Sequence, residues 1–161
     1  MKIMITGGAG FLGVRLARTL LAMGSLSVNG QAAAPTTRIT LADRVPPPDD
    51  LVADPRIEVA LGDLNTQLSA TPNLIAARAD TAVVYHLAAA VSGECEADFN
   101  LGMRSNFAAT HRLLEACRAT KLQPMVVFAS SLAVFGQTAL LTLPELVTDT
   151  TLPTPQSSYG I

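Results

Sequence analysis

Charge is scarce in this sequence: Asp, Glu, Lys and Arg make up 15% of it, with a formal net charge of -2. No basic stripe offers a footprint to a polyanion, so no nucleic-acid partner is expected. Long hydrophobic runs are missing too. The stretches around Ala82 to Val91 and Met125 to Gly136 fall short of the roughly 18 residues a membrane helix needs, and they carry His86 or serines. No membrane partner is expected. Glycines interrupt the first apolar run before a signal-peptide core could form, and no cleavage motif follows, so the expected location is cytoplasmic. Cysteine is limited to Cys95 and Cys117, without CxxC or Cys/His spacing. Reduced structural thiols follow from that pattern, rather than a disulfide or metal framework. Internal repeats and low-complexity tracts are also absent.

What is present is apolar and glycine-punctuated. The 161 residues, 49% of them hydrophobic, suit one domain built on a parallel sheet buried on both faces. The chain begins Met-Lys-Ile-Met-Ile-Thr-Gly-Gly-Ala-Gly-Phe-Leu-Gly, a strand-like run that breaks into Gly7, Gly10 and Gly13. A pyrophosphate can approach a backbone only where no Cβ intrudes, and the amides opening a following helix offer free donors at a positive dipole end. Gly7, Gly10 and Gly13, with Phe11 and Leu12 opening that helix, are therefore read as a phosphate-binding loop. Leu16, Leu20 and Leu21 continue at helical spacing, which predicts a helix from about Phe11 to Met23.

The remaining elements alternate. Gly24 to Thr37 reads as a surface insertion, followed by strands over Arg38 to Ala42 and Ile57 to Leu61. A helix over about Thr71 to Arg78 is predicted to lead to a strand at Ala82 to Leu87. A long helix over about Asp98 to Thr120 precedes a fifth strand, Met125 to Ala129. Such alternation predicts right-handed βαβ units, hence an α/β Rossmann-type doubly wound parallel sheet of about five strands in the order 3-2-1-4-5.

Several strand ends carry chemistry. Asp43 closes the second strand, where a dinucleotide fold places the carboxylate that accepts from the adenosine ribose hydroxyls and repels a 2′-phosphate. It lies 30 residues past Gly13, against the usual interval of about 20, and the Gly24 to Thr37 insertion accounts for the excess. NAD is the expected cofactor, with Arg44 leaving NADP as the other option. Asp63 and Leu64 follow the third strand and suit adenine, the carboxylate meeting its amine and leucine covering its ring; an Asx turn is the competing account. Ala88, Ala89 and Ala90 are small residues where the backbone must pass close to the cofactor. His86 reads as a packed core histidine and His111 as a bridging or solvated one, and neither is assigned to chemistry. Glu94, Glu96 and Asp98 cluster at a helix mouth, where carboxylates complement the dipole without an ion, so no metal is expected. Ser131 and Tyr159, 28 residues apart, could jointly hold a substrate hydroxyl while a phenolate removes its proton, given a nearby cation to lower the tyrosine pKa.

The run TGGAGFLG, Asp43, Gly62-Asp63-Leu64, the HLAA stretch, Asn106, FASSLAVFG and Ser158-Tyr159-Gly160 together resemble the extended short-chain dehydrogenase/reductase superfamily. The resemblance implies that Ser131 and Tyr159 are catalytic and that Asn106 supports the proton relay from its helix. It places Ser130, Asn106 and Tyr159 at the cofactor, and Ser92, Gly93, Ser131 and Tyr159 at the substrate. Residues Val91 to Glu94 leading through Glu96, Asp98-Phe99 and Leu101 to Asn106 are similar to the D-erythronate dehydrogenases, sugar-acid enzymes. That similarity implies NAD-dependent oxidation of D-erythronate at C2, and a homodimer for the full-length enzyme. Two rivals stand beside it: a nucleotide-sugar 4-epimerase or dehydratase with tightly held NAD, and a noncatalytic NAD-binding module. The superfamily motif is Tyr-x-x-x-Lys, and its lysine would fall at position 163, past Ile161. Residues 1–161 are thus expected to be the NAD-binding part of a longer enzyme whose substrate region is absent, and to be inactive by themselves.

Overall fold

The opening apolar run forms strand β1 (Lys2–Thr6) in a computed structural model that describes residues 1–140 and 142–161. Helix α1 (Phe11–Met23) follows, then β2 (Arg38–Asp43), helix α2 (Asp49–Val52), β3 (Ile57–Leu61) and helix α3 (Leu64–Ser69). Strand β4 (Val83–His86) leads to helices α4 (Ser92–Ala97) and α5 (Phe99–Gly102), a π-helical segment (Met103–Ala108), helix α6 (Ala109–Arg118) and β5 (Met125–Phe128). The chain divides into two compact units, Met1–Ala88 with Ala109–Ala129, and Ala89–Ala108 with Ser130–Ile161.

The first unit contains the sheet, in the order β3-β2-β1-β4-β5 and parallel at every pairing. This is the order expected from the sequence. Alternation along β1 explains why the sheet is covered on both faces. Ile3 and Ile5 pack with Ala17 and Leu20 of α1 and Leu51 of α2, whereas Met4 packs with Leu68 of α3 and with Leu113, Ala116 and Cys117 of α6. Register then sets the functional edge: Thr6 pairs with Ala42 and with His86, Asp43 with Leu61, and His86 with Phe128. The carboxyl ends of all five strands are therefore flush, and the chain leaves them at Gly7, Arg44, Gly62, Leu87 and Ala129.

Three local expectations change. The Gly24 to Thr37 insertion is partly ordered as a small hairpin, Ser25–Leu26 against Ala34–Pro35, which starts from Gly24 in the left-handed region (φ 68°). In place of a helix over Thr71 to Arg78, helicity sits earlier at Leu64–Ser69 and a single 3-10 turn covers Ala76–Arg78. Two caps decide this. Asp63 accepts the Thr66 N–H at 3.0 Å and Asn73 accepts the Ala76 N–H at 2.8 Å, so each turn starts at its own side-chain acceptor. The long helix expected from Asp98 is likewise segmented: Asp98 caps α5 through the Leu101 N–H at 3.1 Å, and π geometry over Met103–Ala108 precedes α6. Helix α4 was not anticipated. Its start is closed by Glu94, whose carboxylate accepts the Val91 N–H at 3.0 Å.

Candidate functional site

In the first unit, β1 delivers the chain into a glycine loop bonded to the end of β2. Gly7 and Gly8 both donate to the Ala42 carbonyl, at 2.9 and 3.3 Å, and Gly10 donates back to Gly7 at 3.1 Å. Gly7 has φ 68°, and a Cβ there would meet the Ala88 nitrogen at 2.9 Å. Position 13 is tighter still, because a Cβ would lie 2.2 Å from the Gly7 carbonyl oxygen and hold helix α1 away from the loop. A Cβ at Gly10, by contrast, would meet only the Gly7 oxygen within 4 Å, at 3.3 Å. Helix α1 starts at Gly10 without a side-chain cap or an acidic residue in its first turn, so its first-turn amides are left without a side-chain acceptor from the helix itself. Phe11 and Leu12 are exposed there. These features suit a diphosphate.

Asp43 reaches back over this loop. Its Oδ2 accepts the Ala9 N–H at 2.9 Å and its Oδ1 accepts the Arg44 N–H at 2.7 Å. Oδ1 also accepts the Val45 N–H at 3.4 Å; a carboxylate has about four acceptor positions, so the remaining capacity lies on Oδ2. Asp63 is the cap of α3, accepting from the Thr66 N–H and, at 3.2 Å, from the Thr66 hydroxyl, while Leu64 is partly buried against the core. The capping turn anticipated as a competing account of Asp63 is therefore present.

Beneath the loop runs a buried polar chain that the sequence only half announced. His86 is 1% exposed and bonds Thr6 Oγ1 through Nδ1 at 2.6 Å and Thr110 Oγ1 through Nε2 at 2.9 Å; the Ala88 N–H donates to Thr6 Oγ1 at 3.3 Å. The neutral ring donates to one of these hydroxyls and accepts from the other, so both ring nitrogens are satisfied. Burial lowers the His86 pKa to about 4, so the ring is neutral at neutral pH and structural, in line with its reading as a core histidine. Thr6 and Thr110 were not anticipated. No sequence spacing links them, since His86 on β4 meets Thr6 on the neighbouring strand β1 and Thr110 on helix α6.

In the second unit, Asn106 lies in the π-helical segment and grips the backbone of Ala90 from both sides. Its Oδ1 accepts the Ala90 N–H at 2.8 Å and its Nδ2 donates to the Ala90 carbonyl at 3.1 Å. Because the backbone fixes one donor and one acceptor, only one amide orientation satisfies both. Ser131 accepts the Ala133 N–H at 3.2 Å and so opens the 3-10 turn Leu132–Val134. Gly160 packs onto that turn: a Cβ there would stand 2.1 Å from the Ala133 oxygen. That approach brings the segments bearing Ser131 and Tyr159 together, joined further by the Thr154 N–H donating to the Val134 carbonyl at 2.8 Å. Ser92 is exposed and donates to Glu96 at 3.1 Å, while Gly93 faces open space. Asp98 pairs with Arg104 at 3.6 Å. The three acidic residues are thus engaged separately, in helix starts and a surface pair. Ser130 and Ala89 are exposed, Ala90 is buried and Tyr159 is half-buried.

The NAD dependent epimerase/dehydratase family matches over residues 3–161. The D-erythronate dehydrogenase of Cupriavidus necator is 48% identical over 163 residues, covering 100% of this chain and 47% of that protein. The enzyme of the same name from Haemophilus influenzae is 40% identical, covering 99% of this chain and 46% of its own length. The chain thus spans about half the length of these curated relatives. Among solved structures, the nucleoside-diphosphate-sugar epimerase from Agrobacterium tumefaciens is 36% identical with a TM-score of 0.80, covering 99% of this chain and 44% of that one.

Proposed function

The chain belongs to the NAD dependent epimerase/dehydratase family, and from that premise we propose that the whole protein is an NAD-dependent dehydrogenase oxidising a secondary hydroxyl of a small sugar acid, D-erythronate at C2. The observation that carries this reading is the 48% identity to a D-erythronate dehydrogenase along the full chain. The loop chemistry supports it. The Gly7 to Gly13 amides and the uncapped start of α1 would hold the pyrophosphate, Asp43 the adenosine ribose, and Asp63 with Leu64 the adenine. Ala88, Ala89, Ala90 and Ser130 are assigned to cofactor contact on family resemblance.

Bound NAD would supply the hydride acceptor. Tyr159 takes the proton of the substrate hydroxyl, and Ser131 orients that hydroxyl and then hydrogen-bonds the developing carbonyl oxygen. Asn106 supports the proton relay, and Ser92 and Gly93 contact substrate hydroxyls. A homodimer and a cytoplasmic location complete the proposal. A second reading, a nucleotide-sugar 4-epimerase that returns its hydride each turnover, is favoured by the likeness to the Agrobacterium tumefaciens epimerase. Leu132, beside Ser131, stands where a dehydratase needs an acid or base and argues against a dehydratase, not against the 4-epimerase. Adding D-erythronate and NAD to the complete gene product separates the readings: net NADH accumulates in the first, while turnover of a UDP-sugar without net NADH marks the second.

A further inference from the structure

Cys95 is a buried thiol that the reaction above leaves unused, and its partners Ala90, Asn106, Gly102 and Ser158 belong with it to the second unit. Its sulfur lies 3.6 Å from the Ala90 carbonyl oxygen and 3.7 Å from Asn106 Nδ2. A thiol carries one weak donor and one weak acceptor; here the S–H faces the carbonyl and the sulfur receives the amide hydrogen. On its backbone side, the Cys95 carbonyl accepts from the buried Ser158 hydroxyl at 3.5 Å. Gly102 closes the arrangement, since a Cβ there would lie 2.3 Å from Ser158 Oγ, 2.7 Å from Ser158 Cβ and 3.0 Å from Cys95 Sγ. One residue of α4 therefore touches the side chain of Asn106 and the residue immediately before Tyr159, and a glycine in α5 lets them meet.

We propose that Cys95 is a positioning residue, holding the Asn106 carboxamide through its sulfur and the Tyr159 segment through its carbonyl, with Gly102 as the gap that admits Ser158. The proposal rests on the assignment of Asn106 and Tyr159 to the reaction. Sulfur suits the place because its long bond and large radius span contacts of this length. A serine hydroxyl, on a shorter bond, would withdraw from both partners. Small displacements of oriented groups are expensive in rate, so the thiol acts through Asn106 without touching substrate.

The test is a double-mutant cycle on the complete enzyme with Cys95→Ala, Asn106→Ala and their combination, and Cys95→Ser as the second single variant. Cys95→Ala is expected to lower kcat about tenfold at nearly unchanged KM for NAD, and to add nothing further in the Asn106→Ala background. Equal losses from Cys95→Ala in both backgrounds would overturn the proposal, because a packing role is additive. A second readout needs no turnover: amide hydrogen exchange at Ala90 should accelerate about tenfold in folded Cys95→Ala and Cys95→Ser, and unchanged protection in either folded variant would also overturn it. If the unmodified enzyme makes no NADH, the functional reading fails, while the exchange experiment still decides the role of Cys95.

Discussion

Asp43 Oδ2 accepts the backbone N–H of Ala9 at 2.9 Å, so the carboxylate at the end of β2 organises the glycine loop; in the proposed function it also meets the adenosine ribose. Removing its charge should act on both. Asp43→Asn is expected to weaken NAD binding about tenfold or more, since hydrogen bonds to a charged group are worth roughly 1.5 to 3 kcal/mol. It should also narrow the preference over NADP. Calorimetric titration with each cofactor checks this, and an unchanged ratio of affinities would remove Asp43 from ribose recognition.

Gly13→Ala tests the contact between loop and helix. The new methyl would sit 2.2 Å from the Gly7 oxygen, which is backbone and cannot swing away. Overpacking of this kind costs about 1 to 3 kcal/mol, so a lower Tm should accompany loss of NAD binding. Gly24→Ala offers a contrast, because it meets no atoms within 4 Å and its cost comes only from φ 68°.

His86 gives the first unit a pH dependence with a definite sign. Its folded pKa is depressed from 6.5 to about 4 by burial, so between those values the unfolded chain binds the extra proton and stability falls as pH falls. The contribution is complete above pH 6.5 and is lost by about pH 4, amounting to about 3 kcal/mol by linkage. Arg56 holds Asp54 at about 2, so that carboxylate adds its loss at lower pH. Denaturant midpoints measured across the window, with His86→Gln as the comparison, should show the slope shrink in the variant.

Leu113 is fully buried on the α6 side of the sheet, beside Met4 and Val84. Leu113→Ala is expected to destabilise the protein by about 2 to 5 kcal/mol while leaving the glycine loop, on the other elements, chemically intact. Urea unfolding monitored by circular dichroism measures it.

Much of the sheet was legible because its signals are local. A run of apolar residues ending in glycine, repeated with helical spacing between, specifies β1, α1 and the strand order, and the strand-end position of Asp43 follows. What escaped depended on capping and on contacts across the chain. Leu101, Met103, Phe107 and Leu113 keep helical spacing whether the turn is α or π, so periodicity merged α5, the π segment and α6. Local turn chemistry marks Asp63 as an adenine contact or an Asx turn and spacing puts the helix at about Thr71 to Arg78, whereas the Asp63 cap starts a helix at once, over Leu64–Ser69. Pairings such as His86 with Thr6 and Thr110, or Cys95 with Asn106 and Ser158, join residues on different elements and leave no spacing to read.

Tyr159 carries the central step of the proposed reaction. With NAD and D-erythronate, the complete gene product should accumulate NADH, and Tyr159→Phe should lower that rate by about 10² to 10⁴ while binding NAD as the unmodified protein does. Accumulation of NADH at an undiminished rate in Tyr159→Phe, or none at all from the unmodified enzyme alongside turnover of a nucleotide sugar, would contradict it.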